Sequence, residues 1–169
     1  MDVNTLPKYD LSDNPTKCCP RFKSEGWDEQ ELHFQDKLFV KAKTRSIFHI
    51  PINMASVFTK VQTAMEKEGA INEDNLIILS HDPSVWRSEH YFSSDKDIPG
   101  QSMVHLSGNY LTKVFEGPYK NVPKWEKEME TFVKSKGKQV KKMYFFYTTC
   151  PKCVKVYGKN YIVAVAEAQ

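Results

Sequence analysis

Four cysteines, set in two pairs far apart in the chain, are the side chains with the most chemistry to offer. Cys150-Pro-Lys-Cys153 has the spacing of a metal knuckle or a redox pair. Cys18-Cys19-Pro20 forms the second pair. If the N-terminal segment folds back on the late part of the chain, the two pairs share a site. Zinc usually takes its four ligands as two separated pairs, so zinc is the metal this pattern fits. Adjacent side chains diverge, however, so three cysteines plus another ligand fit better than Cys18, Cys19, Cys150 and Cys153 together. A thioredoxin-like pair begins a helix, whose dipole lowers the thiol pKa. Here the spacing predicts a loop between two strands, which argues against a redox role. Reduced, unliganded thiols are the other reading, and no cofactor is required.

Glu116 is the candidate acid or base. It ends a predicted strand just before Gly117-Pro118, where a side chain can point into a groove. Beside aromatic rings its pKa would rise by desolvation. The competing reading is a surface carboxylate paired with a lysine such as Lys113. Tyr119 and Tyr147 are candidate pocket residues, each with a hydroxyl to orient a ligand. Both could equally be packed with the hydroxyl at the surface. Trp86, His90 and Tyr91 cluster after His81-Asp82-Pro83. Trp86 could floor a groove or cover the edge of the core. His90 could be a base with Glu89 as neighbour, but adjacent strand residues point to opposite faces. No Gly-x-Ser-x-Gly elbow and no His-Glu-x-x-His motif occurs. Hydrolysis would therefore need direct attack of water on an electrophilic ligand.

The elements that must position these residues read as follows. Residues 1–35 form an N-terminal arm broken by Pro7, Pro15, Pro20 and Gly26, but Phe22, Trp27, Leu32 and Phe34 are apolar enough to dock part of it. Residues 36–169 form one domain. Leu38 to Ile50 alternates as a strand with one basic, exposed face. Met54, Val57, Phe58, Val61, Ala64 and Met65 recur at helical spacing, and Gly69 is a natural stop. Leu76 to Ser80 and Glu89 to Lys96 are strands. The order then repeats: a strand over Gly108 to Glu116, a helix carrying Val122, Trp125, Met129, Phe132 and Val133, and strands over Val140 to Thr148 and Tyr161 to Glu167. Two tandem strand–helix–strand–strand units are thus expected, an α+β domain whose antiparallel sheet carries two helices. Neither unit can bury its sheet face alone, so the two must share a core and meet at a groove.

Composition narrows the function classes. The chain has 169 residues, 40% hydrophobic and 27% charged, an ordinary globular composition. A net charge of +3, with acids and bases interspersed, lacks the clustered excess of a nucleic-acid binder. The dense run Lys134 to Lys142 reads as a solvated helix end and turn, where lysines suit the dipole. No stretch approaches a membrane span, and the polar start lacks a signal-peptide core. A cytoplasmic protein with a small-molecule ligand and neither a nucleic-acid nor a membrane partner is expected.

Three stretches carry a resemblance to the gyrase-inhibitor-like (GyrI-like) effector-binding superfamily. The first is His81-Asp82-Pro83 followed by Glu89-His90-Tyr91. The second and most specific is Ser107-Gly108-Asn109-Tyr110, then Val114-Phe115-Glu116-Gly117-Pro118-Tyr119 leading to Trp125. The third is Tyr144-Phe145-Phe146-Tyr147. The resemblance covers roughly Leu38 to Glu167, and within the superfamily the chain resembles the branch loosely described as bacterial hydrolases. It implies pseudo-twofold symmetry between the units and a ligand groove between them. It also implies a glutamate two residues before the late-strand tyrosine. That position is Phe145 here, so an aromatic ring replaces the usual acid. The leading expectation is an apolar or aromatic ligand bound in the groove, with hydrolysis of an electrophilic one. The alternatives are a non-catalytic sequestering or sensing module and a gyrase-inhibitor-like interaction protein. The last would want an acidic face, which a charge of +3 opposes.

Overall fold

A computed structural model describes residues 2–47, 50–72 and 75–169. Its element order is β1 (Glu31–Ile47), β2 (Ile50–Pro51), α1 (Met54–Lys67), β3 (Ile78–Ser84), β4 (Arg87–Ser93), β5 (Met103–Glu116), α2 (Val122–Ser135), β6 (Val140–Tyr147), α3 (Pro151–Tyr157) and β7 (Tyr161–Ala168). Every strand pairing is antiparallel, so the α+β class expected from the sequence is what forms. The sheet is not open, however. Its order is β1-β4-β3-β6-β7-β5, and β5 returns to β1, which closes it into a barrel.

β1 makes the closure. Its 17 residues pair with β5 from Glu31 to Val40 and with β4 from Phe39 to Arg45. A strand serving both neighbours must bend. It does so at a bulge between Phe34 and Lys37, where Asp36 takes φ 48°. An extra residue in one strand sharpens the local twist and supplies that bend. Opposite the bulge, Gly108 pairs with Phe34 at φ 140°, a backbone that side-chain-bearing residues rarely adopt.

Three apolar layers follow from strand alternation. The barrel interior holds Leu32, Phe34, Phe39, Ile77, Leu79, Tyr91, Tyr110, Tyr144, Phe146, Val163 and Val165. The alternate residues face outward. Leu111, Phe115, Met143, Phe145, Ile162, Ala164 and Ala166 pack under α2, which offers Trp125, Met129 and Val133 at helical spacing. Val40 and Phe92 pack under Val61 and Met65 of α1. Gly69, at φ 59°, ends that helix as its position in the sequence predicts.

The N-terminal arm is part of the interior. Leu6, Phe22 and Trp27 are buried, Trp27 completely, and all belong to the barrel core. Tyr9, Phe22 and Trp27 each contact the ring of Phe146. Tyr9 donates its hydroxyl to the Thr148 carbonyl at 3.1 Å, and the Trp27 indole donates to the Lys8 carbonyl at 3.2 Å. The arm therefore closes the end of the barrel where β6 finishes. Fully burying each such side chain contributes roughly 1.5–3 kcal/mol.

Two sequence expectations change. Cys150–Cys153 is not a loop between strands: Cys150 caps α3, Pro151 fills the first turn and Gly158 ends it at φ 69°. At seven residues this helix is too short to show a period. His81-Asp82-Pro83 is not the turn either. β3 runs on to Ser84 through a bulge, and the chain reverses at Val85 and Trp86.

Candidate functional site

Apart from Lys37, which is buried and donates to the arm's Asn4 carbonyl at 3.0 Å, the interior of the barrel is apolar near the arm and becomes charged towards the opposite mouth. On β6 the inward residues are Phe146, Tyr144 and Lys142, in that order away from the arm. Phe146 and Lys142 lie about 13 Å apart along the strand. On β4 they are Tyr91 and then Glu89, and on β1 Phe39 and then Lys41. The cross-strand pairs Lys41↔Tyr91 and Leu79↔Tyr91 fix these faces. Where the strands converge, four polar groups meet. Lys41 Nζ lies 2.8 Å from Glu89 Oε1. The Tyr91 hydroxyl donates to Glu89 Oε2 at 2.7 Å and accepts from Lys142 Nζ at 3.1 Å. Lys142 Nζ is also 3.9 Å from Glu89 Oε2.

Aromatic faces complete the cluster. The Lys142 ammonium stands 5.1 Å from the Tyr91 ring centroid and 4.9 Å from that of Tyr144. Lys41 stands 5.3 Å from Tyr91, and the Tyr91 and Tyr144 rings meet edge to face at 5.6 Å. Ring faces attract cations, and partial burial strengthens the effect. Beyond Tyr144, His81 donates Nδ1–H to the Met143 carbonyl at 2.9 Å, across the seam where β3 meets β6 through Ser80 and Phe145. Glu167, opposite the buried Tyr110 in the ladder, completes the rim and is paired with Lys141 at 2.5 Å.

The electrostatics follow from this geometry. Burial works to raise the Glu89 pKa. The hydrogen bonds from Lys41 and Tyr91 and the two lysine charges outweigh it, bringing the carboxyl down to about 2. Burial lowers the Lys142 pKa, with Glu89 opposing. Burial and the adjacent Glu89 raise that of Tyr91, and burial raises that of Tyr144. The Glu89 carboxylate is thus joined to Lys41 directly and to Lys142 through the Tyr91 phenol.

Of the residues expected to form the site, Tyr91 alone lies in it. His90 points the other way. It is buried under α1, with Nε2 2.9 Å from Thr44 Oγ1, Nδ1 2.9 Å from Ser80 Oγ, and its ring against Phe58. Burial lowers its pKa to about 4. Alternation therefore exchanges the roles first considered, and Glu89 is the inward residue. Phe145 does not face a groove, because it packs outward beneath α2. Tyr119 and Tyr147 lie in that same outer layer, their rings 6.1 Å apart, and Tyr119 donates to the Thr149 carbonyl at 2.5 Å. Glu116 sits at the arm end, paired with Tyr161 in the ladder. That is about 20 Å along β7 from the rim at Glu167. Its side chain is 51% exposed, 3.8 Å from Lys159, so the desolvation expected of it is missing.

Trp86 is 54% exposed at the β3–β4 turn. With Lys43, Arg45, Ile52, Asn53 and Arg87 it lines a shallow cleft. Lys43 and Arg45 lie on the same face of β1 as Lys41, and Arg87 on the same face of β4 as Glu89, so the cleft continues the barrel mouth outward. Lys41, Lys142 and Tyr144 were missed because isolated lysines among aromatics read as an exposed strand face. The available signal was charge at alternate positions on a face otherwise made of rings, as in Lys142-x-Tyr144-x-Phe146.

All four cysteines come together. Their Sγ atoms lie within 4.8 Å of one another. This corrects the reading that adjacent Cys18 and Cys19 must diverge. Lys17 takes φ 54°, and the turn it makes leaves the Cys18 and Cys19 sulfurs 3.8 Å apart on one side.

Comparison with known proteins places this fold in a wider group. A family model described as "Bacterial hydrolase" matches residues 9–168. A hydrolase from Listeria innocua superposes with a TM-score of 0.58 at 13% identity, covering 84% of this chain and 92% of that one. The C-terminal domain of EcmrR gives 0.59 at 10% identity, covering 85% and 98%. At such identities the likeness is one of fold. No curated protein matches the chain.

Proposed function

We propose that this chain, which belongs to the bacterial hydrolase family, binds an aromatic or apolar small molecule at the charged mouth of its barrel, through an anionic or carbonyl oxygen of the ligand. The observation that carries this reading is the Lys41–Glu89–Tyr91–Lys142 cluster, backed by Tyr144, next to the apolar cluster of the barrel interior. The three charges are partly buried and pair with one another, so a ligand's charge can be exchanged for an internal partner. The two units β1–α1–β3–β4 and β5–α2–β6–β7, taken as related by a pseudo-twofold axis, meet at the β3–β6 seam beside this cluster. The ligand enters between them by displacing the lysine ammonium groups from the tyrosine faces. Lys43, Arg45 and Arg87 on the approach favour an anion, and Trp86 offers a face on which a ring stacks.

A second reading, hydrolysis, is favoured by the description of the family. Lys142 would polarise the carbonyl of an electrophilic ligand and stabilise the oxyanion formed when water adds. Glu89, with its pKa near 2, is an anchor for Lys41 and Tyr91 rather than a base at neutral pH.

Calorimetric titration with a naphthalene sulfonate, and with an aromatic quaternary ammonium of similar size, tests the binding. The sulfonate should bind more tightly, and Lys142→Met should weaken it about tenfold, the worth of one charge-assisted hydrogen bond. Glu116→Gln should leave binding unchanged. Tighter binding of the cation, or indifference to Lys142→Met, would exclude the anion site. Turnover of an aryl ester that survives Lys142→Met but is lost in Glu116→Gln would move the chemistry to the arm end.

A further inference from the structure

We propose that Cys18, Cys19, Cys150 and Cys153 hold one zinc ion as a tetrathiolate site, and that this ion fastens the N-terminal arm over the closed end of the barrel. The inference stands apart from the ligand mouth and shares no residue with it.

The sulfur geometry fits the metal. Four thiolates around zinc at about 2.3 Å stand about 3.8 Å from one another along the edges of a tetrahedron. Cys18 Sγ is 3.8 Å from Cys19 Sγ and 3.8 Å from Cys150 Sγ, and all four sulfurs lie within 4.8 Å. Disulfides are a poorer account. None of the thiols is bonded to another, and a bridge needs sulfurs about 2.05 Å apart. A single Cys18–Cys150 bridge would also leave Cys19 and Cys153 packed against it without a role.

The groups around the sulfurs are those a thiolate uses. The Cys150 backbone N–H donates to Cys19 Sγ at 3.3 Å. Cys153 Sγ and Thr16 Oγ1 are 3.2 Å apart. As a thiol Cys153 donates to Thr16, and once it is deprotonated the Thr16 hydroxyl donates instead. Thr16 is in turn 2.9 Å from the Tyr157 hydroxyl, which donates to the Cys19 carbonyl at 2.6 Å. Such outer contacts orient ligands and tune a metal site. Zinc binding releases the thiol protons, so affinity should fall in acid.

The ion would join two segments more than 130 residues apart in sequence. The Cys18–Cys19 turn lies between Tyr9 and Phe22, which cap Phe146, and α3 follows β6 directly. Metal binding would therefore hold the apolar plug against the barrel.

The test is metal analysis of protein purified under reducing conditions, followed by reconstitution with zinc or cobalt chloride alone. The expected result is one zinc per chain, and for the cobalt form the intense visible bands of tetrahedral thiolate coordination. Removing the metal with a chelator should speed proteolysis within the arm at least about tenfold, as a local opening becomes populated. Cys18→Ser, at the exposed ligand, should bind zinc more weakly and lose most of the chelator effect while keeping the barrel folded. Substoichiometric zinc after reconstitution, a cobalt spectrum without tetrahedral thiolate bands, or a disulfide found by mass under the same conditions would overturn the proposal.

Discussion

If His90 faces α1 rather than the ligand mouth, it must be a source of acid instability, and the size of that effect follows from its burial. The imidazole is 1% exposed and held neutral between Thr44 and Ser80, with its pKa brought from 6.5 to about 4. A histidine whose folded pKa lies below its unfolded value takes up protons preferentially in the unfolded chain. Stability is therefore complete above about pH 6.5 and falls as pH drops through the window from 6.5 to 4. Integrating over protons bound, the loss at pH 5 is about 2 kcal/mol, out of about 3 kcal/mol available at still lower pH. Urea unfolding at pH 7.5 and pH 5 measures it, with His90→Gln as the partner experiment. The variant will be less stable at pH 7.5, because glutamine cannot reproduce both hydroxyl contacts. Its further loss on going to pH 5 should be smaller than that of the parent by the same 2 kcal/mol or so. An equal loss in parent and variant, or an NMR titration placing His90 near 6.5, would mean that the ring is in water. The face assignment of β4 would then be wrong, Glu89 included.

Glu89 acts in a separate, lower window. Its folded pKa is depressed, so its contribution is present above about pH 4.5 and is lost as pH falls toward 2. Glu89→Gln should flatten the acid limb of unfolding below pH 4.5 and leave the limb between 6.5 and 4.5 unchanged, read from urea midpoints across the two ranges. At Gly117 an added Cβ would come within 3.1 Å of Trp125 and 3.3 Å of Asn121, on a backbone at φ 146°. Gly117→Ala should therefore cost about 1–3 kcal/mol in chemical unfolding, and a cost near zero would show that the Trp125 ring, which stacks on Phe115 at 5.5 Å, gives way freely.

The parts of the fold legible in the sequence are those written in local periodicity. Trp125, Met129 and Val133 mark α2 because one stripe of a helix must be apolar to pack on a sheet. Gly69 and Gly137, at φ 59° and 72°, follow the two long helices because few other residues take that conformation without strain. Barrel closure was not legible. It depends on β1 pairing with β5 about 70 residues away, through a bulge whose only local sign is an Asp at positive φ. The site was half legible. Glu89-His90-Tyr91 lies on the strand that carries the proposed cluster, but alternation alone leaves two face assignments, and a buried His competes with a half-buried Glu for the inward one. What decides is the partner strand: Thr44 and Ser80 can satisfy an imidazole, while Lys41 can satisfy a carboxylate.

The two ends of the barrel explain each other. Closing the sheet leaves two mouths, and both need covering because the interior carries large rings. At the end near Phe146 the chain supplies Tyr9, Phe22 and Trp27 from the arm, and Lys37 of β1 donates to the arm's Asn4 carbonyl at 3.0 Å. At the other end no segment crosses among the described residues, and the strands carry their own cover in Lys41, Glu89 and Lys142. The lysine ammonium groups stand over the Tyr91 and Tyr144 rings and beside the Glu89 carboxylate. A cover made of side chains opens by rotamer changes, while opening the arm would expose Phe22 and Trp27 of the core. That asymmetry supports the proposal that a ligand enters at Glu89 rather than at Glu116. It also predicts that changes at the cysteines alter stability and proteolysis before they alter binding at the mouth.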